Sequence, residues 1–278
     1  MPEASIPVRA GGGQLRLDDA TTHVMAVVNL SPESRVRASV VTGPDEALAR
    51  ARACRQAGAT IIDLGAQSSH YENRPLTPDE ELARLLPALE RLVADGCCVS
   101  VDTWKPEVAA AAVEAGASIV NDTGGLQDPR MRDLVVRRRI PAVLVHIEGE
   151  HPLAVDRRDL GPDRPARVAA LLAERVRALR RAGAGPLLVD PGLSINYRGD
   201  YAAYGRFQLD TIRRLDLLAA TGAPVLVPVP RKAETHRMLA YLVLAIEAGA
   251  HVIRVHDVEA ACDLVPYLGR RLGRIERD

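Results

Sequence analysis

A unit that repeats along the chain constrains its fold more than any other feature. A helical pattern ends in Gly, a short apolar run follows, and the run stops at a polar residue. RQAGATIIDLG carries Gly58 and a run to Asp63, and VEAGASIVND carries Gly116 and a run to Asn121 and Asp122. RRAGAGPLLVDPG runs to Asp190, and IEAGAHVIRVHD to Arg254 and His256. Gly just beyond a helix suits the position where positive φ is cheap for glycine alone. Looser copies fill the gaps: HVMAVVN to Asn29, ADGCCVSVD to Asp102, RIPAVLVH to His146 and TGAPVLVP near Pro228. Together they make eight apolar runs of strand length, continuous rather than alternating, as parallel strands buried on both faces read.

A βαβα order admits a closed barrel or a doubly wound open sheet. Eight units in 278 residues favour closure, since a (β/α)8 barrel takes about 250 residues. No GxGxxG follows the first run, which removes the main mark of a dinucleotide fold. The expectation is an α/β chain forming one (β/α)8 TIM barrel domain over residues 1–278, its core at about 24–272 and residues 1–20 an N-terminal extension or lead-in strands. With 47% hydrophobic but only 3% aromatic residues, the core must be Ala, Val, Leu and Ile. Glu148 to Pro165 reads as a long polar loop after the fifth run.

Charge narrows the partners. Lys plus Arg and Asp plus Glu number 36 each, which argues against nucleic acid or a membrane surface. No apolar stretch reaches the ~18 residues of a membrane span, and the N-terminus lacks a basic-then-apolar leader. Cys54, Cys97, Cys98 and Cys262 show no zinc spacing and read as reduced thiols of a cytoplasmic protein, Cys97 and Cys98 on opposite sides of a strand.

In a (β/α)8 barrel the chemistry sits at the C-terminal strand ends. Asn29, Asp63, Asp102, Asn121, Asp122, His146, Asp190, Arg254 and His256 all read as strand-end residues. Asp and Asn are poor residues inside strands. Any one alone reads as a helix cap or Asx turn, but the recurrence is poorly explained by caps alone. Asp102, Asn121 and Asp190 suit the donor edge of a flat heterocycle. Arg254, His256 and Asn29 suit an anion pocket, with Arg254 and His256 on one strand face.

These motifs, in order, resemble the dihydropteroate synthase family of pterin-binding barrels. The resemblance runs from about Met25 to Val258 through MAVVNLSPES, SVDTWKPEVAAAAVEAGASIVNDTGG, LLVDPG, Arg231-Lys232 and IRVHDV. It implies that Asp102, Asn121, Asp190 and Lys232 hold the pterin ring, and that Asn29, Arg254 and His256 hold its pyrophosphate, with Mg²⁺ at Asn29. Lys232, Asp102 and Arg254 would carry catalysis. The implied reaction ionises the pterin CH₂–O bond as pyrophosphate leaves, and the amine of p-aminobenzoate attacks the cation. The resemblance also implies a homodimer through the last helices, where RMLAYLVLAIEA is apolar around much of its surface.

Departures from the family pattern gather on the second-substrate side. Arg35 stands at the usual Phe and Arg37 at the usual Asp of the first loop. In Gly65-Ala-Gln-Ser-Ser69-His70, His70 stands where the family has Arg, with Arg74 four residues on as a candidate replacement. Ile195 replaces a Phe, Tyr197 a Lys and Ala233 a Ser beside the aminobenzoate. The expectation is a dihydropteroate synthase-like transferase with an altered second substrate and weak or no activity on p-aminobenzoate. Alternatives are an ordinary synthase of folate biosynthesis with rearranged loops, a non-catalytic pterin-binding homologue, and a methyltetrahydrofolate-type methyltransferase. Retention of Arg254 with His256 counts against the last.

Overall fold

The structure, a computed structural model, describes residues 4–34, 37–70, 72–155, 161–195, 201–230 and 235–277. The elements run β1 (Ala4–Pro7), β2 (Gln14–Leu17), β3 (Thr21–Asn29), α1 (Pro44–Ala57), β4 (Ile61–Gly65), α2 (Pro78–Ala94), β5 (Val99–Asp102), α3 (Pro106–Glu114), β6 (Ile119–Asp122), α4 (Pro129–Arg138) and β7 (Ala142–Val145). They continue with α5 (Arg164–Arg181), β8 (Leu187–Asp190), α6 (Tyr201–Arg213), α7 (Leu215–Ala219), β9 (Leu226–Pro228), α8 (Thr235–Glu247), β10 (Val252–Val255), α9 (Val258–Tyr267), β11 (Arg271–Leu272) and β12 (Ile275–Glu276).

Local chemistry sets the boundaries. Helices α1, α2, α3 and α4 each begin on a Pro at the first helical position, where its missing N–H costs nothing. Thr77 and Glu80 add a reciprocal capping box to α2. At the other end, Gly116 after α3 has φ +102 and turns the chain directly into β6.

Strands β3 to β10 form one parallel sheet in the order β8-β7-β6-β5-β4-β3-β10-β9. A parallel bridge between Val189 and Val225 joins its two ends, closing the eight-stranded barrel. The expected architecture is therefore the observed one. Before it, β1 and β2 form an antiparallel hairpin that pairs with β12 into a small three-stranded sheet. Ile6, Val8, Leu15 and Leu17 of this hairpin join the apolar interior of the barrel, so the lead-in is a floor rather than a tail.

The strands sort their side chains by alternation. Val24, Ile62, Val99, Val101, Val120, Leu144, Val189, Val227 and Ile253 pack outward against the helices. Met25, Ile61, Cys98, Ile119, Val143, Leu188, Leu226 and Val252 pack inward with the hairpin. Cys97 belongs to the outer cluster and Cys98 to the inner, on opposite sides of the chain as it enters β5. All four cysteines are buried and free. Two residues beyond the inward apolar layer, the same face holds Asp63, Ser100, Asn121, Asp190 and Arg254, with Asp102 two further. The barrel interior is thus apolar at its floor and polar at its C-terminal end.

One strand-end reading changes. Asp63 is not at the end of β4, which continues to Gly65. The register places Asp63 beside Ser100 and Gly65 beside Asp102, so Asp63 lies one layer deeper than Asp102.

Candidate active site

A cavity of about 340 Å³ opens at the C-terminal ends of the strands. Asn29, Asp102, Asn121, Asp190, Arg254 and His256 all line it, together with Ser69, His70 and Ile195 from the divergent loops. Lys232, Arg35 and Ala233 lie outside the described residues, as does Tyr197.

The centre of the site is a charge network that the sequence reading did not anticipate. Asp63, fully buried, accepts a hydrogen bond from Arg254 Nε at 2.6 Å and from Ser100 Oγ at 2.7 Å. Asn121 Nδ2 lies 3.3 Å from each Asp63 oxygen. Arg254 Nη2 donates to Asp102 Oδ2 at 2.8 Å, and Thr123 Oγ1 lies 3.4 Å from Asp102 Oδ1. A carboxylate at this depth is tolerable only when paired and hydrogen-bonded, as Asp63 is. Burial opposes the Arg254 charge, but Asp63 and Asp102 outweigh it and hold its pKa above the ordinary value. Burial pushes the Asp102 carboxyl up to about 7 against the pull of Arg254, and the Asp63 and Glu81 carboxylates add to the rise.

Arg254, read from the sequence with His256 and Asn29, lines the cavity with its guanidinium forked between Asp63 and Asp102, because the inward face of β10 points it across the barrel toward β4 and β5. Nη1 makes no hydrogen bond among the described residues. His256 and Asn29 remain apart from that network: His256 Nδ1 lies 2.9 Å from Ser39 Oγ, and Asn29 Oδ1 accepts from the Ser31 amide at 2.9 Å. Asp190 Oδ1 accepts from the Gly192 amide at 2.6 Å.

Besides Asp63, which lies below it, two strand-end candidates do not line the cavity. Asp122 caps its own loop, accepting from the Gly124 and Leu126 amides at 2.7 Å each; burial raises its pKa to about 7 despite those bonds. His146 is buried after β7, with Nε2 3.8 Å from Glu148. Arg74, the candidate replacement for the lost loop arginine, is exposed and pairs with Glu80 through both terminal nitrogens at 2.9 and 2.7 Å. It serves the start of α2 and does not reach the cavity. Arg37 donates to the Pro32 carbonyl and likewise does not line it.

Other contributors were legible only in part. Thr123 follows Asn121 by two residues and so shares its face. Tyr204 and Gln208, spaced i, i+4 on α6, line the cavity and brace the loop after β8: the Tyr204 hydroxyl lies 2.5 Å from the Leu193 carbonyl oxygen, and Gln208 Nε2 donates to the same oxygen at 2.7 Å. The first two strand-end loops are stitched together. Ser31 Oγ donates to Glu33 and accepts from the Ser68 amide, while Arg84 holds Glu33 through two nitrogens.

The family model described as pterin binding enzyme matches residues 25–256, the span that builds this barrel and its cavity. The chain belongs to this family of pterin-binding enzymes. The dihydropteroate synthase of Bacillus subtilis is 31% identical over 91% of this chain and 90% of that protein. That of Mycobacterium leprae is 33% identical over 90% and 93%. The Xanthomonas albilineans dihydropteroate synthase, solved with 4-aminobenzoic acid, superposes with a TM-score of 0.79 at 33% identity, covering 95% of this chain and 97% of that one. This pterin-binding barrel is accordingly an enzyme, a transferase of the dihydropteroate synthase family. Among the described residues, no helix is long and apolar enough to cross a membrane.

Proposed function

We propose that the chain condenses a dihydropterin carrying a CH₂-pyrophosphate with an amine nucleophile, releasing pyrophosphate, and that it acts weakly on p-aminobenzoate. The observation that carries the first part is the set of acceptors facing one cavity: Asp102, Asn121 and Asp190, with Arg254 forked beneath them. Carboxylates and an amide oxygen accept from the N–H groups of a pterin edge. Lys232 completes the ring contacts in this reading. As the CH₂–O bond breaks, positive charge develops on the methylene carbon and spreads into the ring, and fixed carboxylates around the ring stabilise it. Arg254 Nη1, His256 and Asn29 stabilise the departing anion.

Mg²⁺ fits this arrangement in a limited way. Among the described residues, no group of three or more His, Cys, Asp or Glu side chains is placed to hold a metal. Asn29 lines the cavity, and its Oδ1 has one lone pair beyond the bond from Ser31. Mg²⁺ that keeps waters and rides on a pyrophosphate asks for about one such protein oxygen. When bound there it would neutralise charge on the leaving group.

The second part rests on His70 and Ile195 at the cavity wall and on Arg74 being engaged with Glu80. These leave the second-substrate side without the family's loop arginine and aromatic contact, so a nucleophile other than p-aminobenzoate is favoured. Pairing of two copies through the last helices belongs to this reading; Tyr267 at the end of α9 is 81% exposed. The test is a steady-state assay with dihydropterin pyrophosphate, Mg²⁺ and p-aminobenzoate. Slow pyrophosphate release that other aryl or alkyl amines accelerate is expected. Turnover with p-aminobenzoate equal to that of the Bacillus subtilis relative would overturn the altered-substrate reading.

A further inference from the structure

We propose that Asp63 is a positioning residue that fixes the polarity of the Asn121 amide and thereby makes the site select a ring edge carrying N–H donors. The proposal rests on the reading that Asn121 contacts the ring. Asp63 lies below the cavity and is absent from its lining, so it acts only through other residues. Arg254 cannot give up its proton, so the Asp63 oxygen 2.6 Å from Nε is an acceptor. Ser100 Oγ donates to the other oxygen. The Asn121 amide then has one workable orientation. Nδ2 lies 3.3 Å from both carboxylate oxygens; the reverse orientation would set Oδ1 against two acceptors with no proton between them.

The consequence appears on the other side of the amide. Asn121 Oδ1 is buried and has no hydrogen-bond partner among the described residues, and Asn121 lines the cavity. A buried acceptor left unmade is costly, so a ligand that donates to it is favoured over one that does not. Asp102 and Asp190 add acceptors on the same wall. Together they discriminate a 2-amino ring from its 2-oxo analogue, which presents an acceptor at the same place.

Replacing Asp63 by Asn keeps the shape but turns one oxygen into an NH₂ donor. The remaining oxygen stays with Arg254, and the new donor faces Ser100 and Asn121. The Asn121 amide is then free to reverse and present Nδ2 to the cavity.

The experiment compares binding of 6-hydroxymethylpterin and 6-hydroxymethyllumazine, which differ in the 2-amino and 2-oxo group, by calorimetric titration. Wild type is expected to favour the amino ring by roughly ten- to hundredfold. Asp63→Asn, with an unchanged circular dichroism spectrum, is expected to cut that ratio about tenfold, the remainder being held by Asp102 and Asp190. A purely structural role would weaken both rings equally, and an unchanged ratio overturns the proposal. Wild type binding neither ring would sink the proposed function and this inference together; wild-type discrimination that persists in Asp63→Asn sinks the inference alone. Should Asp63→Asn not fold, Asp63→Asn with Arg254→Gln removes both buried charges and with them the acceptor-only constraint on Asn121. A ratio as large as the wild type's in that protein overturns the proposal equally.

Discussion

The Asp102 carboxyl titrates near neutrality because of its surroundings. Burial lifts its pKa to about 7, so it is largely ionised above that pH and increasingly protonated below it. A protonated Asp102 loses its ion pair with Arg254 and, in the proposed function, one acceptor for the ring. Affinity for a pterin should therefore be highest above pH 7 and fall as the pH drops, approaching about tenfold per unit. Titrations from pH 5.5 to 8.5 check this, and an affinity flat across that range would contradict it. Asp63→Ala leaves the Arg254 charge buried beside a void and should cost about 3–5 kcal/mol in urea unfolding. Asp102, Asn121, Asp190 and Arg254 were legible because each ends or nearly ends an apolar run. The role of Asp63 was not. Its depth depends on the pairing of β4 with β5, and a continuous apolar run does not state its own register. The forking of Arg254 was hidden for the same reason, since its partners sit on two other strands.

Helix ends and loops show a similar division. The glycines after the helices could be read directly, because only glycine accepts their backbone angles cheaply. Gly116 shows what is at stake: at φ +102, an added Cβ would sit 2.8 Å from Val93 Cγ1. Gly116→Ala should destabilise by at least about 1–2 kcal/mol, seen as a fall in Tm of several degrees; an unchanged Tm would refute the account of this turn. The stitching of the first two loops could not be read, because Glu33 and Arg84 are far apart in the chain and meet only when α2 packs beside β4. Burial raises the Glu33 pKa, but Arg84 and Ser31 outweigh it and bring the carboxyl down to about 2. The tie therefore persists across the pH range in which Asp102 titrates. Arg84→Ala should raise KM for the amine more than it changes kcat, since it frees the loops without touching the ring wall. A change in kcat alone would contradict that division.

The closed barrel was legible from eight repeated units; the floor beneath it was not. The hairpin of β1 and β2 carries too few residues to announce itself, and its pairing with β12 joins opposite ends of the chain. It nevertheless completes the interior, and Leu15, fully buried there, predicts a loss of about 2–5 kcal/mol for Leu15→Ala by urea denaturation. The apolar floor and the polar upper layer make one design: the floor supplies rigidity and low dielectric, which strengthen every charge above it. The central claim is that this upper layer holds a pterin bearing a pyrophosphate. Calorimetric titration of the wild type and Asp102→Asn with dihydropterin pyrophosphate, in the presence of Mg²⁺, tests it most directly. The account predicts one ligand per chain for the wild type and an affinity at least about tenfold weaker for the variant. No binding to the wild type, or equal affinity in both, would contradict it.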